Sequence, residues 1–401
     1  MRLAILTNIL TPYRMALFAE LRRQLRDSGG DLSVVVMAET EQERSWTYTD
    51  LQSDFTTLLP HASVSLLGSP LHVTRGLGHA LEAFAPDVVV CAGSYTLPAV
   101  WEVLLRQRLT RGGYRTYFWS ESHLNEHHPR ALPTRAVREA LRHAVYRRFD
   151  GFLNPGRMSR EFIERYARPH SHLIFFPNTV DDSFYDSRRV SLKEDRDALR
   201  AKYGVESVKY VFFTPARLTS VKGLDRLLEL AANMSHREDA VFLVAGSGDQ
   251  EALLRGRSAH LGVDMRLLGT RTVSEVTELY ALADCMLLPS LADPSPLAVV
   301  EALWMGLPLL VSTHVGNHPE AVRQGENGYT FDYQDPEGAT MLLDSLVQAN
   351  ASWASKASAI SIQIAQETFR SVDVVERLLS EVGRDLTGAA HPGSVPHLDG
   401  E

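Results

Sequence analysis

The sequence predicts an α/β protein with two doubly wound domains, each built on a parallel sheet. Short β-branched or apolar runs alternate with amphipathic stretches of helical length along most of the 401 residues. Alternation of this kind is typical of parallel strands joined by helices that cover both faces of the sheet. The pattern occurs twice, so we expect two domains with a cleft between them. Ligands of such sheets bind at the carboxyl ends of the strands.

The first half contains six runs that are typical of buried strands, because they are short and rich in β-branched or aromatic residues. They cover 2–7, 32–37, 87–92, 115–119, 150–153 and 173–176. Helical patterns lie between them at about 14–26, 73–84, 97–109, 133–148 and 157–167. The opening run has interrupting polar residues and no A-x-A cleavage site, which favours a first strand over a signal peptide.

The second half repeats this arrangement after a polar segment at 178–195, which has no clear periodicity and predicts the switch between the halves. Its predicted strands are 208–214, 240–245, 265–268, 284–288 and 308–312. Its predicted helices are 222–233, 249–260, 274–282, 296–305, 318–323, 335–349, 351–367 and 371–386.

Composition excludes several classes of protein. The net charge of −8 argues against nucleic acid as the main partner. Cys91 and Cys285 are the two cysteines, and without a C-x-x-C pair they argue against a disulfide framework or a structural zinc site. No run approaches the ~18 apolar residues that a membrane helix needs. We expect a cytoplasmic protein.

Two cations follow the strand at 208–214. Arg217 and Lys222 stand five apart in PARLTSVKGLD, where a loop opens a helix. The first N–H groups and the dipole of a helix favour anions, and arginine can bind a phosphate through two hydrogen bonds. The pair therefore suits a diphosphate, although two solvated cations are the more common explanation of such a pair when it is taken alone.

A pair of glycines follows the next strand. Gly246 and Gly248 in VAGSGD permit a tight turn and a close approach of the backbone to a ligand. A plain strand-to-helix turn would use the same residues, so this signal is weak.

The most informative motif is LPSLADPSPLAVVEALWMGLP, in which Asp293 and Glu301 are eight residues apart. Pro296 suits the first turn of a helix. The N–H groups of the next two residues then form a second anion site, while the two carboxylates can bind hydroxyl groups. The alternative is that Asp293 caps the helix and Glu301 is a solvated surface residue.

Together these motifs resemble the retaining glycosyltransferases of family 4, the glycosyl transferases group 1 class. The family's R-x4-K motif matches Arg217 and Lys222, and its E-x7-E motif matches Asp293 and Glu301 with Asp in place of the first Glu. Two further family motifs match 177–181, where P-N-G-V-D reads PNTVD, and 316–328, where G-G-x-P-E and a later N-G read GNHPE and NG. The matches occur in the family's order, each at an expected strand-end loop.

The resemblance implies the GT-B fold, in which two Rossmann-like domains face each other across a cleft. It implies an acceptor-binding domain at 1–182 and a nucleotide-sugar-binding domain at 183–370. We expect a helix at 371–386 that packs back on the first domain, and a disordered tail at 387–401.

The resemblance also implies the roles of residues on the donor side. Arg217 and Lys222 would neutralise the leaving diphosphate, Glu301 would bind the donor ribose, and Asp293 would hold hydroxyls of the transferred sugar. Further donor-binding residues would be Gly246, Gly248, Ser295, Pro296, Leu297 and Ala298. The donor is a nucleotide-diphospho-sugar, with UDP or GDP as the expected nucleotide, and no cofactor or metal is expected.

The acceptor side is predicted from two segments. TNILTPYRMALF resembles a subgroup of the family with P-Y-R after the first strand, and would place Asn8, Tyr13 and Arg14 in the cleft. After the strand at 115–119, Glu121 stands where many members have a histidine, with His123 two residues later. Glu121 would bind an acceptor hydroxyl or amine, or contact the donor sugar. His127 and His128 are close by, but clustered loop histidines are usually solvated, and we expect no metal.

The stretch 130–149 is basic and amphipathic. Such a helix can lie on an anionic membrane surface. More often its apolar stripe packs on the sheet, so we do not favour association with a membrane.

We therefore predict a retaining, metal-independent hexosyltransferase. Its acceptor is expected to be a small molecule of secondary metabolism or a precursor of a cell-surface glycan. The alternatives are a nucleotide-sugar epimerase of the same architecture and a non-catalytic sugar-nucleotide binder. A nicotinamide oxidoreductase is disfavoured because NILTPYR, and not G-x-G-x-x-G, follows the first strand. The sequence makes no prediction of oligomeric state.

Overall fold

A computed structural model of the chain describes residues 1–39, 48–66, 69–110, 113–124, 132–205 and 209–388. For 62–66, 69–73 and 132–135 it describes the backbone alone. His127, His128 and most of the predicted tail, 389–401, lie outside these ranges.

The N-terminal half is built on a parallel sheet. Its strands and those of a separate hairpin are β1 (Arg2–Thr7), β2 (Asp31–Val36), β3 (Thr56–Leu58), β4 (His61–Leu66), β5 (Ser69–Thr74), β6 (Val88–Ala92), β7 (Arg115–Trp119), β8 (Gly151–Asn154) and β9 (His172–Phe175). Its helices are α1 (Pro12–Asp27), α2 (Tyr48–Leu51), α3 (Leu77–Phe84), α4 (Pro98–Leu109), α5 (Leu132–Tyr146) and α6 (Arg157–Tyr166). The strand order is β3-β2-β1-β6-β7-β8-β9, so the order reverses between β1 and β6 and a crevice opens there.

Three strands of this half were not predicted. β3 extends the sheet at its edge, while β4 and β5 form an antiparallel hairpin outside it. Because β5 runs to Thr74, the helix predicted from residue 73 begins only at Leu77. Gly76, with φ of 84°, separates the strand from the helix, and this left-handed conformation is one that glycine adopts readily.

The C-terminal half repeats the architecture with six parallel strands. They are β10 (Tyr210–Pro215), β11 (Ala240–Ala245), β12 (Met265–Leu267), β13 (Cys285–Leu288), β14 (Leu309–Ser312) and β15 (Gly328–Phe331). The helices are α7 (Asp182–Ser191), α8 (Arg196–Lys202), α9 (Leu224–Ala232), α10 (Glu251–Leu261), α11 (Val273–Leu282), α12 (Leu297–Trp304), α13 (His318–Ala321), α14 (Pro336–Val347), α15 (Ala351–Thr368) and α16 (Ser371–Thr387). The order β12-β11-β10-β13-β14-β15 reverses between β10 and β13.

The polar segment at 178–195 is more regular than its sequence indicates. α7 occupies most of it and begins at an N-cap, since the Asp181 carboxylate accepts a hydrogen bond from the Phe184 amide at 3.1 Å. Tyr185 is the buried residue of this helix, so one aromatic anchor takes the place of an apolar stripe. β15 was also missed, because GYTF is a short run with no β-branched pair.

Alternate residues of the central strands pack into different cores. On β1, Leu3 and Ile5 face a core shared with α1, whereas Ala4 and Leu6 face the core on the other side of the sheet. On β10, Val211 and Phe213 point to one face, and the residue between them points to the other. This period of two explains why each strand reads as a continuous apolar run.

The chain crosses between the two halves twice. On the first crossing, Phe176 is buried in the N-terminal core and Val180 in the C-terminal core. On the return, Phe369 belongs to the C-terminal core and Val374 to the N-terminal core. The bounds of the domains predicted from the sequence stay predictions.

The last helix, α16, packs against α1 and the N-terminal sheet. The start of α16 is tied to the first crossing, because the Ser371 amide donates to Asp182 Oδ2 at 2.8 Å and its hydroxyl to the Val180 carbonyl at 3.2 Å. The two crossing segments therefore lie side by side. The buried residues of α16 in the N-terminal core are Val374, Val375, Leu378 and Val382.

The predicted basic helix forms as α5. Val145 and Tyr146 are buried in the N-terminal core, while Val137 is 68% exposed. Within the described part of the chain, no helix combines the length and apolarity needed to cross a membrane.

Candidate functional site

The predicted donor residues follow neighbouring strands. Arg217 and Lys222 come after β10, and Asp293 comes after β13, on the two sides of the point where the strand order reverses. A Cβ atom on Gly223, which has φ of 67°, would lie 2.1 Å from the Pro289 carbonyl oxygen. Only glycine therefore allows the segment that leads into α9 to pack on the end of β13.

Lys222 and Asp293 contact each other directly. Lys222 Nζ lies 2.5 Å from Asp293 Oδ2, and the Ser290 hydroxyl donates to the same oxygen at 3.3 Å. The two side chains are only 16% and 12% exposed, so this is a largely buried ion pair. A diphosphate that bound Lys222 would share the ammonium group with Asp293.

The two glycines of VAGSGD support the loop that carries Arg217. A Cβ on Gly246 would lie 2.0 Å from the Ala216 carbonyl oxygen, and one on Gly248 would lie 2.3 Å from that of Leu218. The Leu218 amide donates to the Ser247 carbonyl at 2.9 Å, so the two loops pack backbone to backbone. The Arg217 side chain is exposed beside this contact.

The helix of the third motif, α12, begins after Pro296 with Leu297 and Ala298 in its first turn. Glu301 lies one turn further, where the Tyr280 hydroxyl donates to Glu301 Oε2 at 2.8 Å. Burial raises the pKa of Glu301, and hydrogen bonds from Tyr280 and Tyr185 oppose that rise. The carboxylate therefore lies against two buried tyrosines that no sequence motif indicated.

On the acceptor side, the Arg14 side chain contacts other residues of the N-terminal half. Its guanidinium donates to Glu121 Oε1 and to the Thr7 hydroxyl, both at 3.2 Å, and stacks 4.7 Å from the centre of the Trp119 ring. The Asn178 amide donates to the same Glu121 oxygen at 3.0 Å. Glu121 is 32% exposed as a side chain, more than the 15% of Arg14, so the carboxylate is the more accessible of the two groups.

Asn8 and Tyr13 lie at the carboxyl end of β1. The Asn8 side chain occupies the space beside Gly93, because a Cβ there would lie 2.5 Å from Asn8 Oδ1. Tyr13 is in the first turn of α1 and is partly exposed. Both residues are at the crevice between β1 and β6, where the sequence predicted acceptor contacts.

Two residues connect the acceptor side to the donor loop. Asn178, in the first crossing segment, approaches the Ser295 carbonyl at 3.5 Å as well as Glu121. His123 is 2% exposed, and its ring lies 3.1 Å from the position of a Cβ on Gly316. The Glu121–His123 loop therefore packs against the loop that follows β14, and Asn178 links Glu121 to the loop that follows β13.

The structure thus brings the predicted residues into two connected groups. Lys222 and Asp293 form one, and Arg14, Glu121 and Asn178 form the other, which reaches the donor loop through Ser295. Sequence reasoning did not assign Asn178 a site role, although it lies in the PNTVD motif. The roles of all these residues stay predictions.

No group of three His, Cys, Asp or Glu side chains in the described ranges is arranged to hold a metal ion. Because His127 and His128 fall outside those ranges, a metal-free site stays a prediction.

A family model described as glycosyl transferases group 1 matches residues 195–361. The C-terminal domain belongs to this family. The group 1 match covers β10 to β15 and therefore Arg217, Lys222, Asp293 and Glu301. It confirms the family predicted from the R-x4-K and E-x7-E motifs.

Curated relatives agree with the group 1 assignment. An N-acetyl-alpha-D-glucosaminyl L-malate synthase from Bacillus anthracis is 26% identical over 225 residues, which are 54% of this chain and 57% of that protein. A D-inositol 3-phosphate glycosyltransferase from Rhodococcus opacus is 30% identical over 175 residues, which are 41% of this chain and 39% of that protein. The chain therefore matches about half or less of the length of these relatives.

Solved structures share the fold of this chain over almost its whole length. Anabaena Alr3699/HepE in complex with UDP superposes with a TM-score of 0.73 at 15% identity, over 96% of this chain and 100% of that one. Sucrose-phosphate synthase from Thermosynechococcus elongatus gives a TM-score of 0.70 at 14% identity, over 97% and 100%. At these identities the likeness concerns the fold, and the predicted GT-B fold class is confirmed.

Proposed function

We propose that this protein is a retaining, metal-independent glycosyltransferase that moves a hexose-type sugar from a nucleotide diphosphate to an acceptor. The observation that carries the proposal is the meeting of Lys222 and Asp293 at the point where the C-terminal strand order reverses. A cation and a sugar-binding carboxylate are both needed there if the diphosphate and the transferred sugar lie side by side.

Departure of the diphosphate builds negative charge on its oxygens and positive charge at the anomeric carbon. Arg217, Lys222 and the first turn of α12 would stabilise the negative charge, because donors fixed in advance need no reorganisation during the reaction. Asp293 and Glu301 would bind hydroxyls of the sugar and of the ribose. The retaining class follows from the family resemblance, with attack on the face from which the diphosphate leaves.

UDP or GDP is the proposed nucleotide, and the presence of UDP in the Anabaena structure supports the first of these. The proposed acceptor is a small molecule or a glycan precursor that approaches Glu121 from the N-terminal half. A cytoplasmic location is supported by Cys91 and Cys285, which are both buried thiols without a disulfide.

The test of the donor site is the shift in thermal midpoint on adding UDP-, GDP-, ADP- or dTDP-sugars without metal. A ligand that binds the native state stabilises it by ~2.7 kcal/mol at a hundredfold excess over its dissociation constant. We expect one nucleotide to raise the midpoint by several degrees, and Arg217→Ala to abolish that shift. Arg237→Ala is the matched control, because the Arg237 side chain is 42% exposed and lies in the same domain. It precedes the amino end of β11, whereas the proposed donor site lies at the carboxyl ends of the strands.

Product analysis then tests the reaction. A sugar joined to a new acceptor, with nucleotide diphosphate released, supports the transferase. An altered nucleotide-sugar in the absence of acceptor would instead support the epimerase. Binding with neither product would support the non-catalytic binder, and no shift with any donor would contradict the donor site itself.

A further inference from the structure

The two halves also meet where a carboxylate of α13 contacts the start of α6. Glu320 Oε1 accepts a hydrogen bond from the Arg157 backbone amide at 2.6 Å. α13 follows β14 in the C-terminal half, and α6 follows β8 in the N-terminal half. The bond therefore joins the two sides of the cleft.

Gly156 makes room for this contact. A Cβ atom at Gly156 would lie 2.4 Å from Glu320 Oε2 and 2.6 Å from its carboxyl carbon. The φ angle of Gly156 is 171°, an extended conformation that any residue adopts, so glycine is needed here for space and not for backbone conformation. The Glu320 carboxyl group fills the space that the side chain of any other residue at position 156 would occupy.

The start of a ten-residue helix such as α6 is a favourable place for an acidic group, because its first N–H groups lack partners within the helix. Only one of the two carboxyl oxygens of Glu320 accepts a hydrogen bond there from the residues that the structure describes. Its second oxygen, Oε2, is buried without a hydrogen-bond partner among the described residues. An ionised carboxylate in this position leaves one charged oxygen without hydration, whereas a protonated carboxyl group leaves a neutral oxygen there, which costs less to bury.

We propose that Glu320 and the first turn of α6 form a proton-dependent latch, which holds the two halves together when the carboxyl group is protonated and releases them when it ionises. The Glu320 latch is defined by the Glu320 carboxyl group, Gly156 and the Arg157 amide. It goes beyond the proposed sugar transfer, because it sets how far the cleft opens and does not depend on which donor or acceptor is used.

The charges around the latch agree with this direction. The pKa of Glu320 is raised from its ordinary 4.5 to about 7, and burial is the largest cause. The negative charge of Glu161 adds to the rise. The backbone amides of Arg157 and of Glu320 itself, and the positive charge of Arg157, act in the opposite direction. Arg157 and Glu161 lie on α6, and His318 on α13 lies near enough to Arg157 for that charge to lower the His318 pKa, although burial is the larger cause. Since the pKa is higher with the halves in contact, contact strengthens as the pH falls from about 7 toward 4.5.

The test measures the ratio of closed to open molecules in the full chain. Dyes on Leu105→Cys and Met341→Cys would report the distance between the halves by energy transfer, since these side chains are 58% and 70% exposed while both native cysteines are buried. From the pKa shift we expect the ratio in the otherwise unchanged chain to rise at least ~10-fold between pH 7.5 and 5.5.

Three variants make the test specific. Glu320→Gln keeps the oxygen that accepts from Arg157 but cannot ionise, so its ratio should be high and independent of pH. Gly156→Ala should open the molecule at every pH, because its Cβ displaces the carboxyl group. Gly383→Ala is the control, since a Cβ there meets nothing within 4 Å.

Hydrogen exchange of the peptide that contains Arg157 provides a second measurement, which works even if most molecules are closed at every pH. After correction for intrinsic exchange, the Arg157 amide should lose protection in Gly156→Ala and as the pH rises in the unsubstituted chain. A pH dependence that persists in Glu320→Gln would overturn the proposal. So would unchanged protection in Gly156→Ala with an unchanged thermal midpoint.

Discussion

Lys222 Nζ lies 2.5 Å from Asp293 Oδ2 and thereby joins the loops that follow β10 and β13. Each residue was expected to bind a different part of the donor, the diphosphate for Lys222 and the sugar for Asp293. Because they form an ion pair, removing the charge of one residue leaves the charge of the other without its partner. A loss of either residue should therefore affect both stability and donor binding.

The first prediction concerns this pair. Lys222→Met leaves Asp293, which is 9% exposed, with the Ser290 hydroxyl as its remaining side-chain hydrogen-bond partner among the described residues. Breaking a buried ion pair costs ~3–5 kcal/mol, and we expect about 2–4 here because both side chains keep some exposure. Urea unfolding should show this loss, and the double variant Lys222→Met/Asp293→Asn should recover most of it. A single variant as stable as the unsubstituted protein would contradict the pairing.

The second prediction concerns the support of the Arg217 loop. Gly248→Ala places a Cβ 2.3 Å from a backbone oxygen, so the loop that carries Arg217 must move. We expect the affinity for the nucleotide to fall by ~10-fold or more, measured by calorimetric titration, which corresponds to ~1.4 kcal/mol. Gly256→Ala is the control within α10, where a Cβ meets nothing within 4 Å and should add ~0.5–1 kcal/mol of stability. Equal affinities in the two variants would argue against this role of Gly248.

The third prediction concerns Arg14, which we expect to act by positioning Glu121. Arg14→Met removes a charged hydrogen bond worth ~1.5–3 kcal/mol, and the rate of sugar transfer should fall ~10–100-fold. The thermal shift with the nucleotide should remain, because Arg14 lies in the other half of the molecule. In a Glu121→Gln background, Arg14→Met should add little, and Arg14→Lys should retain part of the rate. Fully additive losses would show that Arg14 acts separately from Glu121.

The fourth prediction concerns pH. Burial raises the pKa of Glu301 above its ordinary 4.5. A group with a raised native pKa contributes stability that is complete below its unfolded pKa and is lost as the pH rises through the native value. Glu301→Gln should therefore gain stability relative to the unsubstituted protein as the pH rises from 5 to 8. Urea midpoints across this range measure the effect.

Glu367→Gln is the control for this series, because the Glu367 side chain is 53% exposed. Its stability should follow that of the unsubstituted protein at each pH. Parallel curves for Glu301→Gln and Glu367→Gln would mean that ionisation of Glu301 is not linked to folding.

Much of the fold was predictable because parallel strands are buried on both faces. RLAILT, VVVCA and AVFLVA read as continuous apolar runs, and each forms the strand expected at that place. The edge elements were harder to predict. β3 and β15 are three and four residues long, and α7 is held by a cap and one buried tyrosine, so none of them needs a long apolar pattern.

The candidate site was predictable as a set of motifs but not as a set of contacts. Lys222 and Asp293 are 71 residues apart, and Arg14 and Glu121 are 107 apart, so only the assembled sheets bring them together. Glu320 lies in the GNHPE motif, yet its partner is a backbone amide on the other half of the molecule. No side-chain pattern marks a backbone partner, which is why the latch could not be predicted from the sequence.

The packing of α16 sets an order for events during synthesis of the chain. Val374, Val375, Leu378 and Val382 complete a core that begins with Leu3 on the first strand. Until these four residues leave the ribosome, one apolar face of the N-terminal sheet is incompletely covered. The C-terminal core needs no residue after Phe369, so it can be complete before then. The half that is translated first is therefore the last to mature. A nascent chain released before residue 374 would present that face to chaperones and proteases.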